Sequence, residues 1–157
     1  MPDSDNASKI MKFLEGYHWE GALPEAYKDD GSNFKGVTRV NLIGTRGEST
    51  KFHLRYFEVA PGGYTTYEKH RHEHVVFVIR GAGIFRAQDQ RLQLKEGDIA
   101  YVRPNDAHQF ANEGDQPFGF LCIVDADRDR PVPLEGGGDS SCFGPEIIKI
   151  IEELDEE

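Results

Sequence analysis

The sequence predicts an all-β fold, an antiparallel sandwich or barrel, on three observations. From Val37 onward, short runs of alternating apolar and polar residues follow one another at close spacing. Turn-forming Gly, Pro, Asn and Asp residues separate these runs. No segment of helical period lies between them, which argues against a parallel sheet with crossover helices.

The elements follow in order. VTRVNLI (37–43) reads as a strand ended by Gly44 and Gly47. KFHLRYFEVA (51–60) alternates Phe52, Leu54 and Tyr56 against His53, Arg55 and Phe57, and Pro61, Gly62 and Gly63 then make a turn. Further strands are expected over 64–70, 74–80, 83–87, 91–94, 99–102, 107–111 and 118–124. Gly81 and segments 88–90, 96–98, 104–106 and 113–117 break them apart. Residues 1–36 form an N-terminal extension. Within it, Ile10, Met11, Phe13 and Leu14 give residues 7–15 the apolar side of a short helix, and residues 16–36 wrap the surface with Trp19 and Tyr27 as anchors. Residues 125–157 are a Pro- and Gly-rich connector, a helix from Pro145 to about Leu154, and an acidic tail. That helix has Pro and Glu146 at its start and a stripe of Ile147, Ile148, Ile150, Ile151 and Leu154.

Length and composition bound the function. A chain of 157 residues suffices for one core and is short for two ordinary domains. A formal charge of −10 disfavours nucleic acid and anionic membrane surfaces as partners, since both call for basic patches. Two cysteines are too few for a disulfide framework, and Cys122 in FGFLCIV reads as a buried reduced thiol. The first ten residues lack the pattern of a signal peptide, and no run approaches the roughly 20 apolar residues of a membrane span. The expectation is a soluble, cytoplasmic protein.

The chemistry gathers at EKHRHEH. The chain has only 6 histidines, yet His70, His72 and His74 fall within five residues, and His108 follows later. Imidazole is a common ligand for zinc, copper, iron and nickel. Alternate residues of a strand share a face, so Glu68, His70, His72 and His74 can point the same way. On a straight strand, however, Glu68 and His74 would stand about 20 Å apart. If both serve one ion, whose bonds are only about 2 Å long, the chain must bend around Arg71–Glu73.

These residues resemble the two motifs of the cupin superfamily. The first runs Gly, five residues, His, one residue, His, three or four residues, Glu, six residues, Gly. Gly62, Glu68, His70, His74 and Gly81 fit that spacing without a gap, with the acid and one imidazole exchanged. The second motif is met by Gly97, His108 and Asn112. Arg103 stands in the proline slot, next to Pro104, and Asn105 stands in the second glycine slot, where Asn tolerates a left-handed turn. The resemblance spans residues 37–124. It implies a double-stranded β-helix, or jelly-roll barrel, flanked by the short terminal helical segments.

It further implies one divalent transition metal ion (Fe, Mn, Ni, Zn or Cu) held by Glu68, His70, His74 and His108. A rival register, with His72 as ligand in place of Glu68, stays open. Glu68 would double as ligand or proton acceptor. Phe120, Cys122, Tyr101 and Arg55 are the candidates for contact with a small organic substrate in the barrel mouth. Cupins host many reactions. The expectation is a metal-dependent enzyme, with an oxygenase ahead of an isomerase or lyase, and a non-catalytic small-molecule binder is the alternative. A homodimer is expected, with the aromatic 16–43 segment on the neighbour's sheet.

Overall fold

A computed structural model of the chain describes residues 6–28, 33–128 and 131–134. Its thirteen strands are β1 (Phe13–Leu14), β2 (His18–Trp19), β3 (Pro24–Ala26), β4 (Lys35–Ile43), β5 (Phe52–Tyr64), β6 (Glu68–Lys69), β7 (His74–Arg80), β8 (Ala82–Ala87), β9 (Gln90–Lys95), β10 (Ile99–Val102), β11 (His108–Ala111), β12 (Phe118–Asp125) and β13 (Val132–Pro133). All pairings among them are antiparallel. One layer runs β10-β7-β12-β5-β4-β3, and the other comprises β9, β8, β11, β6 and β13. The far end of β5 joins the layers by pairing Tyr64 with Ala111, so the sheet closes nearly into a barrel.

The alternation read from the sequence explains the core. On β5, Phe57 and Val59 point into the barrel and meet Val76, Val78, Phe85, Phe110, Phe118, Phe120 and Val124. Tyr56 faces outward but is also buried, because Met11, Tyr17 and Trp19 of the extension pack over it with Val40 and Leu42. The strand is thus covered on both faces, one by the barrel and one by the chain's own N-terminal segment. Trp19 lies 5.1 Å from the Tyr56 ring, and Tyr27 is buried edge-on against Phe57 at 5.8 Å.

One expectation about helices changes, and the other is not reached. Residues 7–15 do not form a helix; they contain β1, which pairs with β2. The apolar residues there serve a two-stranded ribbon with Phe13 packed on Tyr17 and Trp19, a cluster that a nine-residue stretch reads equally well as a helix face. The expected helix from Pro145 and the acidic tail lie outside the described residues. The strand expected over 64–70 is interrupted: Tyr64 ends β5, and only Glu68 and Lys69 resume strand pairing, with His108 and β13. No helix among the described residues is long and apolar enough to cross a membrane.

Candidate metal centre

The two motifs meet through the backbone. After β6 the chain bends at Arg71 and His72 before β7 begins at His74, the turn that a shared ion requires. Asn105 holds a left-handed φ of 67°, and its N–H donates to the His70 carbonyl at 2.7 Å. Asn112 is 1% exposed; its Nδ2 donates to the carbonyls of Val59 and Gln116 at 2.9 and 2.7 Å, and its Oδ1 accepts from Gly114 N–H at 3.0 Å. Its backbone in turn bonds the first motif's Gly62 and the adjacent Gly63, accepting from Gly62 N–H and donating to the Gly63 carbonyl, each at 2.9 Å. These bonds lock the turn that carries the first ligand pair to the strand that carries His108.

Side chains converge inside this frame. Glu68, His70 and His108 bring ligand atoms within 4.8 Å of one another, and so do His70, His72 and His74. His70 belongs to both groups. Its ring stacks on His72 and His74 at 3.8 and 4.3 Å and meets His108 edge-on at 4.7 Å. Glu68 is paired with Lys28 at 2.6 Å.

Hydrogen bonds fix which nitrogens are available. His70 Nδ1–H donates to the His72 carbonyl at 2.7 Å, and His108 Nδ1–H donates to the Asp106 carbonyl at 2.9 Å. Each bond places the lone pair on Nε2, the arrangement found where a second partner orients a metal-bound histidine. His70 Nε2 is buried with no hydrogen-bond partner. A buried imidazole nitrogen left in this state is costly unless something fills its lone pair. Burial first, then the neighbouring imidazoles, pushes His70 down to about 4; burial likewise holds His108 at about 4. His74 is lowered for the same reasons, burial leading. All three are therefore neutral near pH 7, the form that coordinates a cation. His72 Nε2 and His74 Nε2 stand 3.2 Å apart, the separation of two ligands around one ion with bonds near 2.1 Å, which is about 3.0–3.4 Å. The donor set and the orphaned nitrogen thus fit a divalent transition ion.

A cavity of about 200 Å³ opens beside the centre. His72, His74, His108 and Glu68 line its floor, while Phe57, Phe110 and Phe120 form an apolar wall. Register explains the layering. Cys122 stands opposite both Arg55 and Val76, two residues along the same face from Val124, which stands opposite His53 and His74. The Cys122 sulfur accordingly lies 3.5 Å from Arg55 Nη2 and 3.6 Å from His74 Nδ1, and burial pushes its thiol up from the ordinary value.

Of the residues singled out in the sequence, Glu68, His70, His72, His74 and His108 come together, and Phe120, Cys122 and Arg55 line the cavity. Two differ from expectation. Tyr101 is not a cavity residue: it is 61% exposed on the outer face of β10, because the alternation there turns Ala100 and Val102 inward. His72 sits in the bend as expected but is 8% exposed, its ring folded under His70 rather than toward solvent.

Sequence reasoning missed Lys28, Arg39 and Arg128, all of which line the cavity. The alternation of β4 placed Arg39 with Val37 on one face, although not which face is inward. Lys28 and Arg128 lie in segments without a period. Arg128 donates to His53 Nδ1 at 2.7 Å and to the Asp125 carbonyl at 2.9 Å.

Fold and centre together define a small β-barrel protein whose two strand-turn motifs bring His and Glu groups into position to bind a metal ion. The chain belongs to the cupin family: the Cupin domain model matches residues 55–124. It is 37% identical over 137 residues to 1-methylthio-D-xylulose 5-phosphate methylsulfurylase of Rhodospirillum rubrum, covering 86% of each chain. Among solved structures, a cupin 2 conserved barrel domain protein from Rhodopseudomonas palustris superposes with a TM-score of 0.76 at 30% identity, covering 90% of this chain and 97% of that one. A cupin 2 domain-containing protein from Halorhodospira halophila gives 0.60 at 38% identity, covering 88% and 90%.

Proposed function

We propose that the chain is a metal-dependent enzyme that acts on a small carbonyl compound carrying an anionic group, of the ketose phosphate type named for its Rhodospirillum rubrum relative. The observation that carries this reading is the convergence of His70, His74 and His108 beside a cavity whose rim is cationic, with His70 and His108 tethered to carbonyls. Glu68, His70, His74 and His108 would hold the ion, with His72 beside them. A bound divalent ion supplies Lewis-acid polarisation of a carbonyl oxygen and leaves positions open for it.

The chain's own groups do the rest. Glu68, held at 2.6 Å by Lys28, would be the carboxylate that takes a proton next to such a carbonyl. Phe57, Phe110 and Phe120 exclude water from the same space. Cys122 places a thiol in the cavity between Arg55 and His74, where it suits a substrate that bears sulfur, as the relative's does. The oxygenase expected from the sequence is the second reading, favoured by a centre that combines histidine with one carboxylate.

One experiment separates these readings. Purified protein loaded in turn with Mn, Fe, Ni, Zn or Cu is given 1-methylthio-D-xylulose 5-phosphate and a thiol, with substrate loss followed by NMR and oxygen by electrode. Metal-dependent loss without oxygen uptake, reduced at least a hundredfold by Cys122→Ser, is the expected result. Oxygen uptake stoichiometric with turnover would replace this reading by the oxygenase, and turnover unaffected by metal removal would end both.

A further inference from the structure

Three guanidinium groups face the same cavity from different parts of the chain: Arg39 on β4, Arg55 on β5 and Arg128 after β12. Arg39 stands opposite Phe57, so Arg55 is its diagonal neighbour on the same inward face. The Nε atoms of Arg39 and Arg55 are both buried without a hydrogen-bond partner. Among the described residues, the remaining contacts of the three groups are poor in negative charge. Arg39 reaches Glu25 at 3.5 Å, a carboxylate whose side chain is 52% exposed. Arg55 reaches a sulfur and lies over the Phe57 ring at 4.9 Å. Arg128 spends its hydrogen bonds on an imidazole and a backbone carbonyl, both neutral. Burial and the repulsion of Arg55 and Arg39 lower Arg128 from its ordinary value, against the opposing pull of Cys122 and Asp125. In a chain of net charge −10, that gathering is not a consequence of composition. The fourth cation of the rim, Lys28, is already paired with Glu68.

We propose that Arg39, Arg55 and Arg128 form an anion subsite that receives the phosphate monoester of the substrate and thereby turns its carbonyl end toward Glu68 and the histidines. A dianion with three terminal oxygens can accept from all three guanidinium forks at once, including the two unpartnered Nε–H groups; a carboxylate offers two oxygens and one charge. The subsite rests on the enzymatic reading above for its role, although not for its existence.

The test uses the full chain stripped of metal by chelator, with inorganic phosphate as the probe in isothermal titration and acetate as the comparison. Phosphate is expected to bind at submillimolar concentration and at least tenfold more tightly than acetate. Arg55→Gln and Arg39→Gln should each weaken phosphate at least tenfold, Arg55→Lys less so, and Arg91→Gln, on the outer surface, not at all. With the phosphorylated ketose, the cavity variants should raise KM far more than they lower kcat. Absence of phosphate binding to the wild-type chain would overturn the subsite, as would equal affinity in the arginine variants or preference for acetate. Because the titration needs no metal, phosphate binding by a chain that takes up no metal would keep the subsite while ending the metal reading, and metal uptake without phosphate binding would do the reverse.

Discussion

The ligand choice turns on single atoms. His70 and His108 are the two imidazoles whose Nδ1–H groups are tied to carbonyls, and Glu68 is the acid grouped with both. His72 contributes its carbonyl to hold His70, so part of its service survives removal of its ring. Glu68→Ala should therefore weaken metal binding at least tenfold and by more than His72→Ala, measured by competition against a chelator; the opposite order would assign His72 to the ion. The same histidines set a pH dependence. In the metal-free protein His70 and His108 stay neutral down to about 4, while in the unfolded chain they take up protons near 6.5. The unfolded state then binds more protons between these values, so the stability due to their lowered pKa is fully present above about 6.5 and is lost as pH falls toward 4. The loss is up to about 3 kcal/mol per imidazole, and urea midpoints of the chelator-treated protein across that range should fall with pH. At this scale the sequence was most legible: the spacing from Gly62 to Gly81 found the histidines, and Asn105 was read as a left-handed turn residue, which its φ of 67° bears out. The orientation of His72 was not legible, because a bend has no periodicity to assign a face.

Among elements, the strands of β7 and β10 matched their sequence patterns residue for residue, since both combine clear alternation with bounding turn residues. The extension did not. A few apolar residues over two turns of chain satisfy helix and ribbon alike, and contact with Tyr56 on β5, a partner 37 residues from Trp19, decides for the ribbon. Arg39 escaped notice for a related reason: its chemistry depends on which face the barrel turns inward. The joint between the motifs is testable by itself. Asn112→Ala removes three hydrogen bonds at a fully buried position and leaves the Val59 carbonyl without its partner. The expected cost is about 3 kcal/mol, seen as a thermal midpoint lower by roughly 10 °C, with metal affinity reduced as the turn beneath His70 loosens. A midpoint within a degree of the wild type would show that this asparagine does not tie the motifs together.

For the whole molecule, the N-terminal segment expected to cover a neighbour is engaged on its own barrel, where Arg80 also lies over the Tyr17 ring at 4.5 Å. The homodimer expectation then moves to the outer face of β7, β10 and β12. There Val75, Phe77, Ile99, Tyr101 and Ile123 are 37–67% exposed and adjacent by register, beside the open edge of β10. An apolar face next to an edge left unpaired among the described residues suits a two-fold contact with a second copy. We expect Ile99→Asp to convert a dimer into a monomer in light scattering, without change in metal content; a wild-type mass of one chain at micromolar concentration would refute the dimer. The central claim, that the barrel exists to hold one metal ion, is tested most directly by elemental analysis of the untagged protein. The account predicts close to one divalent transition ion per chain, and essentially none after His74→Ala and His108→Ala are combined in a chain that still folds. Full occupancy in that double variant would contradict it.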